Sequence, residues 1–192
     1  LTICSFFIYR QHHYMLTKDM GFDKENILTV EIPYDATYGW TKEDGITMDY
    51  TKRNALEDKL KQNPQIIDVA WGQGEFISGG DRQWSRKTED GQHVTFRVYP
   101  VSWNFLQVMG IDIVEGRDFI FSDNEVATGA LIFNEKAAKD MNISSESKIQ
   151  GHISNMQTQV VGICEDFDFQ SAQNAIKPYV FVVFGQYGWD LP

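Results

Sequence analysis

Hydrophobic and polar residues alternate along several short stretches of the chain, and this alternation predicts β-strands. In the first stretch, Leu28, Val30 and Ile32 share one face, because successive side chains of a strand point to opposite sides of a sheet. The same alternation, or a short continuous apolar run, predicts further extended segments in IIDVAWGQGEF, VTFRVYPVS, IDIVEGRDF, GALIF, KIQGHIS, TQVVGICEDF and IKPYVFVVF. We expect Gly116 to turn the chain within IDIVEGRDF.

A longer helix is predicted between the first two of these strands. In DYTKRNALEDKLKQNP, Leu56 and Leu60 lie one helical turn apart, and Glu57 precedes Lys61 by four residues, a favourable spacing for an ion pair. Asp49 is expected to cap the start of the helix, and Asn63-Pro64 to end it.

Two shorter helices are predicted from their boundary residues. WNFLQVMG is expected to be capped by Ser102 and closed by Gly110. The segment after GALIF begins at Asn134, a favourable N-cap residue, and its first turn carries Glu135, whose charge suits the positive end of a helix.

Short, mixed elements of this kind predict an α+β domain with two lobes. A glycine-rich, charged break near residues 78–81 and a turn near residues 154–157 are expected to bracket an inserted lobe over residues 81–157. Residues 27–80 and 158–186 would then form the second lobe, with their strands closing one sheet. In the charged stretch ISGGDRQWSRKTEDGQH, which contains this break, Asp90-Gly91 predicts a hairpin turn.

The N-terminal run LTICSFFIYRQ has two interpretations. Its apolar part, residues 1–9, is far shorter than the roughly 20 residues that cross a bilayer. Tyr9 and Arg10 nevertheless resemble the interfacial end of a membrane helix. Residues 1–26 are therefore interpreted either as the end of a truncated transmembrane helix with its juxtamembrane segment, or as an amphipathic helix packed on the domain.

Composition excludes some partners. Among the 192 residues, 42% are hydrophobic and 14% aromatic, which is enough for a packed core, and the net charge is −10. An acidic chain of this kind is not a nucleic-acid-binding protein, because phosphate binding needs clustered Lys and Arg. Cys4 and Cys164 give no disulfide framework and no metal-ligand spacing, and both are expected to be buried thiols.

The search for catalytic chemistry finds no nucleophile motif, and the four histidines lack metal-ligand spacing. No catalytic residue, cofactor site or metal site is therefore predicted. Glu165, Asp166 and Asp168 lie close together after a strand, but alternation places Glu165 with Phe167 and Phe169 on one face. The acids are interpreted as a solvated face or as caps of the following turn.

The same region, VVGICEDFDFQSAQNAIKP, resembles a signature of the MacB-like periplasmic core domain of FtsX-type ABC-transporter permeases. The family pattern is an apolar strand ending in V-V-G, then D-F-x-F-x-S, then I-x-P. It is filled here by Val160, Val161, Gly162, Asp166, Phe167, Phe169, Ser171, Ile176 and Pro178.

Three further stretches resemble the same family in the same order. YMLTKDMGFDKENILTV is similar to the segment that leaves the first transmembrane helix of a permease unit, especially in Bacteroidetes-type proteins. LIFNEKAAKDM, with Asn134 and Glu135, is similar to the family's I-x-N-E-x-A-A. SWNFLQVMGIDIVEGRDF matches through Met109, Gly110, Ile111, Gly116, Arg117, Asp118 and Phe119.

The resemblance implies a non-catalytic domain on the periplasmic side of the cytoplasmic membrane. Residues 27–80 and 158–186 would form its membrane-proximal, porter-like lobe, and residues 81–157 its inserted, sabre-like lobe. The permease would work as a dimer with a cytoplasmic ABC ATPase subunit, and ATP-driven motion of its helices would reach the external domain. Export, lipoprotein release or control of a periplasmic adaptor or substrate would follow.

The family has no catalytic residue, cofactor or metal ligand in this domain, so the resemblance implies structural roles for its motif residues. Gly110 and Gly116 would be turn positions, and Arg117 with Asp118 would form a local polar clamp. Phe167 and Phe169 would pack in the core, and Asp166 would fix a turn.

Two alternatives stay open at the level of sequence. The chain has features of the external ligand-binding domain of a membrane sensor, with Tyr38, Trp40 and Trp84 as candidate pocket aromatics. A hydrolase using Glu165, Asp166 and Asp168 would need a partner group from elsewhere in the chain, and none can be identified.

Overall fold

The computed structural model describes residues 2–17, 21, 26–32, 39–40, 48–49, 51–72, 83–88, 90–150, 157–167 and 176–185. Its helices are α1 (Thr2–Thr17), α2 (Thr51–Lys61), α3 (Phe105–Met109) and α4 (Glu135–Met141). A 3-10 turn spans Phe121–Asn124. The strands are β1 (Gly39–Trp40), β2 (Met48–Asp49), β3 (Gln83–Lys87), β4 (His93–Pro100), β5 (Ile113–Gly116), β6 (Ala130–Asn134), β7 (Lys148–Gln150), β8 (Gln157–Cys164) and β9 (Tyr179–Val183).

A mixed sheet of seven strands organises the described residues, which confirms the predicted α+β class. Its order is β3-β4-β9-β6-β8-β5, and β7 also pairs with β8. The β4–β9 and β6–β8 pairs are parallel, whereas β9 and β6 run antiparallel. β5 pairs with the C-terminal half of β8 and β7 with its N-terminal end, so the two short strands share one edge of β8.

The outer strands of the sheet approach each other. An isolated bridge joins Thr88, at the end of β3, to Ile149 in β7. The sheet is therefore strongly curved, and this bridge covers part of an edge that would otherwise expose unpaired backbone groups.

The core lies on both faces of the sheet. Along β6 all five residues are buried, with Ile132 in one apolar cluster and Phe133 in the other. α3 covers the first cluster with Phe105, Leu106 and Met109, whereas α4 covers the second with Ala137 and Met141. Continuous apolar strands such as ALIF and YVFVV are explained by this arrangement, because both of their faces are covered.

Most of the predicted elements are confirmed between residues 93 and 183. Strands form at β4, β5, β6, β7, β8 and β9, and helices at α3 and α4. The predicted helix α2, which precedes this range, also forms. Gly91 turns the β3–β4 hairpin, and Gly116 ends β5, as expected. β3 was not predicted, because its polar residues lie within the charged, glycine-rich break.

Two predicted strands are wrong. Residues 27–32 form no strand, and Leu28 is 87% exposed. Of the segment IIDVAWGQGEF, residues 66–71 are irregular and Gly72 makes one bridge to Val101, while residues 73–76 lie outside the described part of the chain. Alternation predicts which side chains share a face, but a strand also needs a hydrogen-bonded neighbouring strand. No described strand pairs with either segment.

The predicted lobe boundaries do not coincide with an edge of this sheet. β8 and β9 were expected to close a sheet with residues 27–77, but they pair with β4, β5, β6 and β7, which lie between residues 93 and 150. Gly72 is the only described residue of 27–77 that bridges to this sheet. The division of the chain into two lobes stays a prediction.

One cap and one cysteine also differ from expectation. The N-cap of α3 is Asn104, not Ser102, because Ser102 instead bonds to Asn104 and Trp71. Cys164 is buried as expected, whereas Cys4 is exposed on α1.

α1 exposes its apolar residues rather than burying them. Phe6, Phe7, Ile8 and Tyr9 are each more than half exposed, so α1 is not packed on the described part of the domain as an amphipathic helix would be. Among the described residues, no helix has the length and apolar character needed to cross a membrane.

We expect Gly162→Ala to destabilise the protein. β8 crosses β5 closely at this point, and a Cβ atom at Gly162 would overlap the backbone carbonyl oxygen of Arg117, which cannot move aside without breaking the sheet. The free energy of unfolding should fall by about 1–3 kcal/mol in urea denaturation. Gly72→Ala is the control, because a Cβ atom there would be 3.4 Å from the Phe105 ring, an ordinary contact. Equal stability of the two variants would contradict the close approach.

Candidate functional site: the junction between the N-terminal segment and the sheet

The side chain of Asn134 joins three segments of the chain. It lies where β6 ends and α4 begins and is completely buried. Its Oδ1 accepts hydrogen bonds from the Ala137 amide at 3.2 Å and from the Tyr179 amide at 2.8 Å. Its Nδ2 donates to the Lys177 carbonyl at 3.0 Å. The predicted N-cap therefore also holds the start of β9.

Asp166 extends this junction to the end of β8. Its Oδ1 accepts from Asn134 Nδ2 at 2.7 Å and from the Lys136 backbone amide at 2.8 Å. The carboxylate thus lies at the N-terminal end of α4, where unpaired amides and the helix dipole favour negative charge. Asp166 was expected to cap the turn that follows it in the chain. It caps the first turn of α4 instead.

Gly21, which follows α1 in the chain, reaches the same point. Gly21 lies so close to Asp166 and Phe167 that a Cβ atom there would overlap the Asp166 carbonyl oxygen. The φ angle of Gly21 is +72°, in the left-handed region that glycine adopts without strain. The contact of Gly21 with residues far along the chain was not predicted from the sequence.

Phe167 links the junction to the core. It stacks on Tyr179 with ring centroids 5.1 Å apart and contacts Phe181 at 4.9 Å. Ile27, in the segment that follows Gly21, packs against the same apolar cluster. Core packing was predicted for Phe167 and for Phe169, but Phe169 and Asp168 lie outside the described residues.

A second polar cluster lies where β5 leaves the sheet. Arg117 donates from both terminal nitrogens to the two carboxylate oxygens of Asp123 at 2.8 Å. The predicted clamp between Arg117 and Asp118 differs, because Arg117 contacts only the backbone carbonyl of Asp118, whose carboxylate accepts from the Phe119 amide. Asp123, which lies six residues after Arg117 and within the Phe121–Asn124 turn, was not predicted from the sequence.

The two acids of this cluster have opposite pKa shifts. Burial raises the pKa of Asp118, and the nearby Asp123 carboxylate adds to the shift. Burial would also raise the pKa of Asp123, but the Arg117 hydrogen bonds and the Ile120 amide outweigh it and lower the pKa. Asp123 is therefore the charged partner of Arg117, whereas burial and the Asp123 charge disfavour the charged form of Asp118.

The remaining motif residues have structural positions. Gly110 ends α3, and Gly116 pairs directly with Gly162 between β5 and β8. Phe119 is buried in the first apolar cluster, and Glu135 is exposed in the first turn of α4. The Pro178 carbonyl accepts from the Arg97 amide at 3.1 Å, which begins the parallel pairing of β9 with β4.

The described acidic side chains near the end of β8 make structural contacts. Asp166 is engaged by Asn134 and Lys136, and Glu165 lies beside the Asp112 backbone. Burial raises the pKa of the Cys164 thiol well above its ordinary range, so Cys164 is not a thiolate nucleophile. Across the described ranges, no group of three or more His, Cys, Asp and Glu residues is placed to hold a metal ion.

The pocket aromatics of the sensor alternative are only partly visible. Tyr38 and the side chain of Trp40 lie outside the described residues. Trp84, in β3, packs against the second apolar cluster, and the Arg86 guanidinium lies 4.5 Å from its ring centre. Trp84, the one of the three whose side chain is described, therefore contacts other residues of the domain.

Comparison with known proteins finds similarity only at the level of solved structures. No protein-family model and no curated protein matches the chain. A domain assigned to a permease protein of Porphyromonas gingivalis matches with a TM-score of 0.44 and 13% identity, over 61% of this chain and 50% of that one.

Two further solved structures are similar. The periplasmic region of MacB from Actinobacillus actinomycetemcomitans matches with a TM-score of 0.44 and 14% identity, over 72% of this chain and 66% of that one. The extracellular domain of YknZ, a noncanonic ABC-type transporter from Gram-positive bacteria, matches with a TM-score of 0.37 and 14% identity, over 57% of each chain. These three come from permease or transporter proteins, but TM-scores below 0.5 do not by themselves establish a shared function.

We expect Asn134→Ala to destabilise the domain strongly. The variant leaves the buried Tyr179 and Ala137 amides without their acceptor and removes the donor to Asp166. The free energy of unfolding should fall by about 2–4 kcal/mol, because each unsatisfied buried group costs about 1–3 kcal/mol. Asn63→Ala is the control, since Asn63 is exposed and accepts one bond from the Gln65 amide. A similar small loss in both variants would show that Asn134 does not join the segments.

The Arg117–Asp123 pair should produce a measurable pH dependence of stability. Because the folded pKa of Asp123 lies below its unfolded value, the contribution of Asp123 is present above an unfolded pKa of about 3.9 and is lost as pH falls through the folded pKa. Asp123→Asn should therefore destabilise by about 1–2 kcal/mol at pH 7, because water reaches the 45% exposed Arg117 side chain and screens the pair, and by much less near pH 2.

Asp118 has the opposite sign and serves as the internal control. Its folded pKa is raised, so its contribution is full at low pH and is lost as pH rises through that pKa. Asp118→Asn keeps an oxygen for the Phe119 amide and should be more stable than the wild type at pH 7 but not near pH 2. Urea denaturation across this pH range measures both, and parallel profiles for the two variants would refute the assignment.

Proposed function

We propose that this chain is the extracytoplasmic domain of an ABC-transporter permease, without enzymatic activity, and that the Gly21 junction carries motion from α1 into the sheet. The observation that supports this most directly is the close packing of Gly21 against Asp166 and Phe167. A displacement of the segment after α1 is passed to the Asp166–Asn134 pair, and from there to α4 and to the start of β9.

The exposed apolar surface of α1 supports the membrane side of the proposal. Phe6, Phe7, Ile8 and Tyr9 lie in a helix without acidic residues, and Arg10 follows them within the same helix. This composition suits the outer end of a membrane helix. In this proposal α1 belongs to a transmembrane helix of the cytoplasmic membrane, and the sheet lies on the periplasmic side. The ordered sequence motifs support the same placement.

The proposed partners follow from this role. A cytoplasmic ABC ATPase subunit would drive the helices, and a second permease copy would complete the transporter. The sheet would act on an exported substrate, a lipoprotein or a periplasmic adaptor. The hydrogen-bonded side chains of the junction suit transmission of movement, because hydrogen-bond networks with discrete alternative arrangements can carry coupling between sites.

The first experiment isolates the full-length native protein from membranes in mild detergent and identifies the proteins that accompany it. Recovery of a nucleotide-binding ATPase is the expected result. Recovery of the protein without any ATPase, or as one chain with a kinase domain, would overturn the permease assignment in favour of a membrane sensor.

The coupling role predicts a specific variant effect. Gly21→Ala in the full-length protein should leave the ATPase bound but reduce ATP-driven activity in membranes severalfold, because its Cβ atom would push the segment after α1 away from Asp166. Gly91→Ala is a matched control. Its φ angle of +85° imposes a similar backbone strain, but a Cβ atom there meets nothing within 4 Å.

Thermal unfolding of both variants separates coupling from stability. If Gly21→Ala and Gly91→Ala lower the melting temperature alike but only Gly21→Ala impairs ATP-driven activity, the junction carries motion. Equal activity of the two variants would show that the contact is structural alone.

A further inference from the structure

The segment that follows α2 attaches α2 to the rest of the domain with little apolar burial. Residues 51–72 are named here the α2 arm. No residue of α2 is fully buried, and Ile67 is 97% exposed. Among the described residues, Ala70 is the one hydrophobic side chain of the arm that packs against the apolar core. Hydrophobic packing therefore contributes little to holding the arm in place.

A salt-bridged group forms one half of the attachment. Lys61 Nζ lies 2.8 Å from Glu57 Oε1 and 2.7 Å from Asp68 Oδ1. The other oxygen of Asp68 accepts from Asn104 Nδ2 at 3.0 Å, and the same nitrogen donates to the Val69 carbonyl at 3.0 Å. Asn104 belongs to the main body of the domain, at the start of α3, so this contact crosses from the arm to the sheet.

A second set of bonds returns from the sheet to the helix. Ser102 Oγ donates to Asn104 Oδ1 at 2.7 Å and accepts from the Trp71 amide at 2.9 Å. The Ser102 amide donates to the Trp71 carbonyl at 2.8 Å. Trp71 Nε1 then donates to Glu57 Oε2 at 3.1 Å. The contacts close into a ring through Glu57, Lys61, Asp68, Asn104, Ser102 and Trp71.

The ring is buried on one side and open to water on the other. Ser102 and Asn104 are 6% and 3% exposed, whereas the side chains of Lys61 and Asp68 are 38% and 32% exposed. Hydrogen bonds to Asp68 and Glu57 raise the pKa of Lys61. Burial alone would raise the pKa of Asp68, but bonds from Lys61, Asn104 and the Val69 amide lower it. Both groups are therefore charged at neutral pH, and salt and water compete for their contact.

We propose that this ring is a latch, and that the α2 arm detaches from the sheet as a unit when the ring opens while the sheet stays folded. Each hydrogen bond contributes little net stability, because water replaces the partner on opening. Release of the arm removes only the small Ala70 side chain from the apolar core, among the hydrophobic side chains of the described arm. Local opening of such a segment costs less free energy than unfolding of the buried strands.

The latch goes beyond the proposed function and does not depend on it. It is a property of the domain itself, and it supplies a movable element on the side of the sheet where α3 begins. Its test needs neither a membrane nor an ATPase, so failure of the permease assignment would leave the latch standing, and failure of the latch would leave the permease assignment standing.

Hydrogen–deuterium exchange of the 192-residue chain, read by mass spectrometry, tests the latch. Lys61→Met and Asp68→Ala should each raise amide exchange in residues 51–72 by about tenfold, the equivalent of one charged hydrogen bond. Exchange in β6, β8 and β9 should not change. Added 1 M NaCl should raise exchange of the arm in the wild-type protein through screening, about 3 Å being the Debye length at that concentration.

Lys136→Met on α4 is the matched control. Lys136 and Asp140 form an ion pair of the same (i, i+4) spacing at 2.7 Å, with 40% and 38% exposed side chains, and this side-chain pair lies within α4. The substitution leaves the Lys136 backbone amide and its bond to Asp166 in place. This variant should not change exchange of the arm. The latch is refuted if the arm and the strands β6, β8 and β9 lose protection together, or if Lys61→Met and salt affect the arm no more than Lys136→Met does.

Discussion

The completely buried amide of Asn134 holds together segments that the sheet alone would not fix relative to one another. β6 and β9 pair along their length, but the start of α4, the end of β8 and the approach to β9 converge on this single side chain. Asparagine suits the position because it carries both an acceptor and two donors. An aspartate would lack the donors, and an apolar residue would leave two buried amides unpaired.

The position of Gly21 depends on this junction. Gly21 approaches the Asp166–Phe167 backbone closely because it has no side chain, and Asp166 is held in place there by Asn134 and Lys136. A rigid point of contact of this kind transmits displacement better than a flexible one, because packed backbones have little room to yield. The junction therefore gives the proposed coupling a physical route of few steps.

The two attachments of the N-terminal third to the sheet differ in kind. The Gly21 junction is an approach of backbone to backbone that continues into an aromatic core through Phe167. The α2 arm is held by charged and polar groups that are partly open to water. One attachment is suited to carry a displacement and the other to release, so a movement entering at Gly21 and a rearrangement of the arm can occur in the same domain without unfolding it.

The sequence by itself determined the elements whose information is local. The continuous apolar runs of β6, β8 and β9 predicted buried strands, the Asn134 cap predicted the start of α4, and Gly110 predicted the end of α3. These predictions depend on residues within a few positions of one another, where periodicity and capping act directly. The motif residues around Gly162 and Asp166 were also identified from sequence, although their partners were not.

Only the tertiary structure decided which segments meet. Asn134 contacts residues 32 and 45 positions away, and Asn104 contacts Asp68 across 36 positions. The segment at residues 27–32 alternates regularly, but no described strand pairs with it, so it forms no strand. The physical reason is that a periodic pattern specifies which face of an element is apolar, whereas pairing, ion-pair choice and close backbone approach depend on what the rest of the chain places against that face.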